Sequence, residues 1–227
     1  MIEEFIKNPR FQIIDIQSDD ISFNDENKWD KQFILTFYGK TKDNLIIVCN
    51  IKNYKPYFYL RIPNNWTISY IKDFLEKIIK IRNYDKNIEI IQSQNFYGFN
   101  YDPHCKKIKQ YRFAKISFQG YCDFQRCVRE ITKYYNGNYP DVINNKKKVQ
   151  PKLKDWFLQE HNCDCKANLY ESNIHPLLRF LHENDIESSG WIELSNFEKL
   201  IIDEEEKIFH CDIQIDNLTE KNIQSVK

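Results

Sequence analysis

The sequence predicts an α+β fold in which a strand-rich first hundred residues leads into a ferredoxin-like β-α-β-β-α-β module. Three observations carry this. Short runs of β-branched and aromatic residues are bounded by Asn, Asp, Gly and Lys turns. Two apolar stripes at helical spacing sit between such runs. The order of runs and stripes matches the module.

The first strands are read at Phe11–Gln17, Gln32–Gly39 and Leu45–Ile51, with Gly39–Asn44 as a hairpin connection. Tyr57–Ile62, bounded by Pro56 and Pro63, opens the module. Thr67 can N-cap a helix whose stripe is Ile68, Ile71, Phe74, Leu75, Ile78 and Ile81. Ile88–Gln92 and Tyr111–Phe118 are the next two strands. Asp123 can N-cap a second helix with Phe124, Cys127, Val128 and Ile131 on one side, and Gly137 follows as a stop signal. The closing strand is placed at Ala167–Glu171. Asn136–Pro151 is polar and reads as a long surface loop, with a short helix after it at Lys152–Gln159. Asn173 starts a better helix with Ile174, Leu177, Leu178 and Leu181 on one face, where Pro176 is tolerated in the first turn. Gly190–Leu194 is a strand, and Leu200–Asp203 with Lys207–Asp212 reads as a hairpin around Glu204-Glu205-Glu206.

The chain has 227 residues, 15% of them aromatic and 29% charged, which suits a globular chain with a sizeable core. No apolar run approaches the roughly 20 residues of a membrane span, so no membrane partner is expected. The N-terminus has no positive region followed by an apolar one, so it is not read as a signal peptide. Seven scattered cysteines point to an intracellular, reducing compartment rather than a disulfide framework. The net charge is zero but unevenly spread. Residues 101–154 hold 13 Lys/Arg against 4 Asp/Glu, and residues 155–227 hold 6 against 16. A basic surface facing phosphate and an acidic one facing something else is one reading; two solvated faces is the other.

Two acidic triplets imitate a two-metal site: Asp185-Ile186-Glu187 and Asp203-Glu204-Glu205. Such a pair holds divalent ions only on a rigid, buried strand. Asp185 follows the last turn of a helix and Asp203 opens a hairpin tip, so both read as structural. His161, Cys163 and Cys165, even with His104 and Cys105, lack the paired Cys-x-x-Cys spacing of a zinc site. No glycine-rich phosphate loop or hydrolase motif is present. No catalytic residue, metal ligand or cofactor is therefore assigned to this chain.

The chemistry that remains is an alternation of period two. In the strand at 57–62, Phe58, Leu60 and Ile62 share one face, and Tyr57, Tyr59 and Arg61 the other. In the strand at 111–118, Arg112, Ala114, Ile116 and Phe118 oppose Tyr111, Phe113, Lys115 and Ser117. The helices must cover the aliphatic side. The open side then carries aromatic rings with cations, which is how RNA-recognition modules stack bases. The expected nucleic-acid-binding set is Tyr57, Tyr59, Arg61, Lys106, Lys107, Lys109, Tyr111, Phe113 and Lys115. The competing reading is that this face packs on the flanking β-subdomain.

Several phrases, in order, carry a resemblance: Phe11-Gln-Ile-Ile-Asp, Pro56-Tyr-Phe-Tyr-Leu-Arg-Ile-Pro, Phe96-Tyr-Gly-Phe, Tyr111-Arg-Phe-Ala-Lys-Ile, and above all the block Tyr170–Glu193 with its Tyr-Glu-Ser-Asn-Ile, Leu-Arg-Phe and Ser-Gly-Trp-Ile. The chain resembles the N-terminal, pre-exonuclease region of B-family DNA polymerases, of the delta-like type found in nucleocytoplasmic large DNA viruses. The resemblance implies an RNA-recognition-like module (56–136) beside an oligonucleotide-fold-like β-subdomain (1–55 plus 186–227), with a basic loop and closing helices at 137–185. It implies partners: template or single-stranded DNA, and the remaining polymerase domains in cis or in trans. It also implies a host cytoplasmic or nuclear setting, and Mg2+ for the parent polymerase. The family's exonuclease Asp-x-Glu and palm aspartates have no counterpart here, so a fragment, an isolated domain or one part of a split polymerase is expected. A free-standing single-strand-binding module and a protein-interaction remnant are the alternatives.

Overall fold

The computed structural model describes residues 5, 7, 9–22, 31–94, 101–102, 107–108, 110–135, 169–195, 197–203, 208–214 and 223–226. The chain is a mixed α+β fold, mostly strands, and divides into two compact units. Unit 1 is Met1–Pro56, Gln119–Tyr121 and Ile174–Lys227; unit 2 is Tyr57–Phe118 and Cys122–Asn173. The helix at 176–183 falls in unit 1, and the strand at 169–170 in unit 2.

Unit 1 is built on a seven-stranded sheet. Its strands are β1 (Arg10–Ser22), β2 (Lys31–Lys40), β3 (Ile46–Lys52), β10 (Trp191–Leu194), β11 (Glu198–Asp203), β12 (Ile208–Gln214) and β13 (Ile223–Val226), in the order β11-β12-β3-β2-β1-β10-β13. The first three were legible as alternating runs, and β11 and β12 form the expected antiparallel hairpin. Ile223–Val226 was not foreseen. Two adjustments are local. β1 carries a bulge at Ile14, between Ile13↔Gly39 and Asp15↔Tyr38, which turns Ile14 outward at 67% exposure. The Gly39–Asn44 connection closes through Thr41, whose side-chain oxygen accepts from Leu45 N–H at 3.1 Å, and Asn44 takes the left-handed φ of 67°.

One face of this sheet is a core of Phe11, Phe33, Leu35, Phe37, Ile47, Ile51, Phe209 and Ile213. Helix α3 (Pro176–Glu183) adds to the same core; α1 (Ile68–Asp73) and, from Cys122 on, α2 (Tyr121–Tyr135) belong to unit 2. Phe180 is fully buried, edge-on to Tyr54 at 5.1 Å and to Phe37 at 6.1 Å. Half of the expected stripe holds: Leu181 is buried and Leu177 packs against the core, whereas Ile174 and Leu178 are exposed, at 43% and 61%, and Pro176, Arg179 and Phe180 are buried instead. The helix also starts later than expected. His175 rather than Asn173 is the cap, its ring nitrogen accepting from Leu177 N–H at 3.3 Å, with Pro176 at the first helical position.

On the other face a polar ladder crosses three strands. Thr36 donates to Asn50 at 3.0 Å, Asn50 donates to Asp212 at 3.0 Å, and Asp212, 1% exposed, is ion-paired to Lys52. The ladder fixes β12 in parallel register against β3, with Cys211 beside Cys49. Hydrogen bonding to Cys211, followed by burial, pushes the Cys49 thiol well up from its ordinary range. Burial does the same to Cys127. Both are held as neutral, unreactive thiols.

Unit 2 contains β4 (Tyr57–Ile62), α1 (Ile68–Asp73), β5 (Glu89–Ser93), a short ribbon of β6 (Tyr101–Asp102) and β7 (Lys107–Ile108), β8 (Tyr111–Ser117), α2 (Tyr121–Tyr135) and β9 (Leu169–Tyr170). Its main sheet has the order β5-β8-β4-β9, all antiparallel. Its core holds a triangle of Phe58, Phe118 and Phe124 with ring centres 5.7–5.9 Å apart, which seats α2 on the sheet. Thr67 caps α1 as expected, accepting from Tyr70 N–H. Ile71, Phe74, Leu75 and Ile81 of the expected stripe are buried, while Ile68, in the first turn, is 42% exposed. A π-helical turn at Phe74–Ile78, with its wider winding, brings Ile79 into the buried set as well. Asp123 is not the cap of α2. The helix begins two residues earlier, and the Tyr121 N–H is taken by the Asp20 carboxylate at 2.7 Å. The proposed loop at 136–151, the helix at 152–159 and Gly137 lie outside the described residues.

Three outcomes follow from this packing. A Cβ at Gly39 would collide with the Phe11 ring and come 2.6 Å from the Gln12 carbonyl oxygen. Gly39→Ala should therefore cost about 1–3 kcal/mol in urea unfolding. Phe180→Ala should cost about 3–5 kcal/mol, because it leaves a hole between Tyr54 and Phe37. Glu76 accepts from Lys86 at 2.7 Å and from Tyr84 at 2.9 Å, and these bonds, Lys86 first, hold its carboxyl below the usual range. A lowered carboxyl stabilises above its unfolded pKa and loses that contribution as pH falls through the folded one. Wild type and Glu76→Gln should thus differ in Tm at pH 7 and converge on acidification.

Candidate nucleic-acid interface

The site is set by the pairing of β4 with β8. Tyr57↔Ser117, Phe58↔Ile116, Tyr59↔Lys115, Leu60↔Ala114, Arg61↔Phe113 and Ile62↔Arg112 lie opposite one another. Strand side chains alternate, so this register sorts them into two sets. Phe58, Leu60, Ile62, Ala114 and Ile116 are buried on the face that meets α2. Arg112, on that same side, donates to the carbonyls of Pro63 and Asn64 and so secures the turn into α1. Tyr57, Tyr59, Arg61, Tyr111, Phe113 and Lys115 are gathered on the opposite face.

That face is more closed than an open stacking platform. Tyr57, Tyr59, Arg61 and Lys115 are half-buried, whereas Tyr111 and Phe113 are 8% and 4% exposed. The Arg61 guanidinium lies 4.0 Å over the Tyr111 ring, and Tyr170 stands edge-on to Phe113 at 5.1 Å. The Lys115 ammonium lies 4.4 Å over the Tyr57 ring, and Tyr57 meets Tyr59 edge-on at 5.4 Å. Cations over ring faces are held by the negative face of the π-system. Four groups therefore remain partly accessible, two phenol rings and two cations, interleaved across two strands. Lys107 lies in β7. Lys106 and Lys109 fall outside the described residues.

Two contributors were missed in the sequence. Tyr170 joins the face because β9 pairs with β4 through Tyr59↔Tyr170. The closing strand was expected, but its ring was not assigned to the site. Glu89 joins from β5, directly opposite Lys115, with its carboxylate 4.0 Å from the ammonium. Both positions follow from period-two alternation once the partner strands are known.

The acidic triplets do not converge. Asp185 is exposed just past the C-cap of α3 with a left-handed φ of 53°, and Glu187 is also exposed. Asp203 ends β11, and Glu204 and Glu205 lie outside the described residues, as do His104, Cys105, His161, Cys163 and Cys165. Among the described residues no group of three or more His, Cys, Asp or Glu is placed to hold a metal ion.

Residues 167–227 match the family model described as DNA polymerase family B, exonuclease domain. The chain is 28% identical over 224 residues to a DNA polymerase of Pyramimonas orientalis virus, an alignment covering 96% of this chain and 16% of that protein. It is 27% identical over 195 residues to a DNA polymerase of Phaeocystis pouchetii virus, covering 82% and 17%. It is 24% identical over 187 residues to a DNA polymerase delta catalytic subunit of Plasmodium falciparum, covering 81% and 15%. In fold it is similar to the family B DNA polymerase of the hyperthermophilic archaeon Pyrobaculum calidifontis, with a TM-score of 0.55 at 11% identity over 92% of this chain and 20% of that one. The chain thus spans about a sixth of the length of the viral polymerases it matches. In sequence it is similar to family B DNA polymerases of the viral and delta types.

Proposed function

We propose that this chain is the non-catalytic N-terminal region of a viral replicative family B DNA polymerase. Unit 2 is an RNA-recognition-like module that contacts template or single-stranded DNA, and unit 1 is an oligonucleotide-fold-like subdomain. The module reading is supported by strand order: numbered within the unit, β5-β8-β4-β9 is 2-3-1-4, with helices after strands one and three. The interface reading rests on one observation: Tyr57, Tyr59, Arg61 and Lys115 share a face and remain partly accessible there. Rings offer bases a stacking surface and cations neutralise phosphate, and neither contact requires a particular sequence. A template-guiding surface needs that tolerance.

Catalysis and its Mg2+ are assigned to other parts of the parent enzyme. The carboxylates described here do not fit the ion, because Asp185 and Glu187 are exposed on a turn rather than seated on a buried strand. The remaining polymerase domains, in cis or in trans, are the second partner of this reading.

The test uses rings that can be removed without emptying a core. Phe113 is buried, so its loss would confound folding with binding. Tyr57→Ala/Tyr59→Ala should lower the affinity for a labelled oligothymidylate by about tenfold or more, since a stacked base is worth about 1–3 kcal/mol. Circular dichroism should show the fold retained. Unchanged affinity in the folded double variant would overturn the interface.

A further inference from the structure

We propose that Glu89 governs how tightly this interface holds a nucleic-acid strand, by competing with phosphate for Lys115; the proposal rests on the single-strand reading above. One register row runs across the sheet as Tyr170, Tyr59, Lys115 and Glu89. In it the Lys115 ammonium lies between two attractors, the Tyr57 ring at 4.4 Å and the Glu89 carboxylate at 4.0 Å. The two cations of the face are therefore not equivalent. Arg61 is laid on Tyr111, and among the described residues it has no ion pair. Lys115 is shared with a carboxylate.

The geometry of that pair makes it exchangeable. The Glu89 side chain is 66% exposed and the Lys115 side chain 30%, so water screens their attraction. A phosphate can take the ammonium, but it must then sit beside the Glu89 charge. The carboxylate both occupies the cation and repels its competitor. A strand held this way is released easily, which suits a template that advances by one nucleotide at a time. A neutral residue of the same shape at position 89 leaves Lys115 on Tyr57 with its charge available.

The experiment is fluorescence anisotropy on the 227-residue chain with a labelled oligothymidylate, over a salt series. Glu89→Gln should tighten binding about two- to fivefold, the range open to an exposed ion pair. It should also steepen the plot of log Kobs against log salt by up to about 0.7, the increment for one further phosphate contact on a single strand. In a Lys115→Ala background the same change should do neither. An equal gain in that background would mean general repulsion and overturn the proposal. So would an unchanged affinity in Glu89→Gln while Tyr57→Ala/Tyr59→Ala weakens binding, an outcome that leaves the interface intact. No binding by either wild type or Glu89→Gln would overturn the interface, and this proposal with it.

Discussion

Everything at the candidate interface depends on the six-residue register between β4 and β8. It makes one strand pair serve two purposes. Apart from Arg112 and Ser117, every second side chain is aliphatic or phenylalanine and is driven out of water, and every other is a ring or a cation. A slip of one residue by either strand would turn that strand over, placing Arg61 or Lys115 in the core and Phe58 or Ile116 in water. The cost of burying an unpaired charge disfavours both slips. The hydrophobic effect thus places the aromatic-basic set indirectly: the core of unit 2 chooses its face, and the face takes what remains.

The same face shows how a protein keeps exposed aromatics without an aggregation hazard. Tyr111 is roofed by Arg61, Phe113 is flanked by Tyr170, and Tyr57 is covered by Lys115. Each cover shields apolar ring from water, and Arg61 and Lys115 also keep a charge at the surface. Tyr111 and Phe113 are packed within unit 2, while their covers, with Tyr57 and Tyr59, remain partly accessible. The rings that look most like a base-stacking motif in the sequence serve here as the floor beneath the groups available for contact.

Legibility in the sequence followed the range of the interaction concerned. Alternation in β4 and β8 is local, and the strand bounds, the split of the two faces and the six sheet-face members of the site could all be read from it. The N-cap of α1 is also local, and Thr67 was recognised. The errors arose where a distant residue or a change of winding decided the outcome. Asp20, a hundred residues away, accepts the first N–H of α2, so the nearby Asp123 was the wrong cap. A π-helical turn is invisible to a stripe counted at 3.6 residues, so Ile79 was left out of the reading of α1, although Ile71, Phe74, Leu75 and Ile81 were read correctly as buried. In helix α3 the reading held for Leu177 and Leu181 but missed the cap, which is His175 rather than Asn173. Tyr170 and Glu89 were missed because facing is a property of pairs of strands.

The block Tyr170–Glu193 shows why a family address and a functional site should be weighed separately. The division between the two units falls within it, after Asn173. Before that point it supplies β9 and the ring that flanks Phe113. After it come α3 and β10, with Phe180, Leu181, Ile186 and Ile192 buried in the core of unit 1. The segment therefore supplies packing residues to both units, and packing alone accounts for its apolar pattern. Its acidic triplet illustrates the consequence. Ile186 is the buried member, its N–H bonded to the Leu181 carbonyl at 2.8 Å, while Asp185 and Glu187 on either side point to water. The centre of the apparent Asp-x-Glu motif is the residue doing the structural work, and the two carboxylates are its solvent-facing flanks.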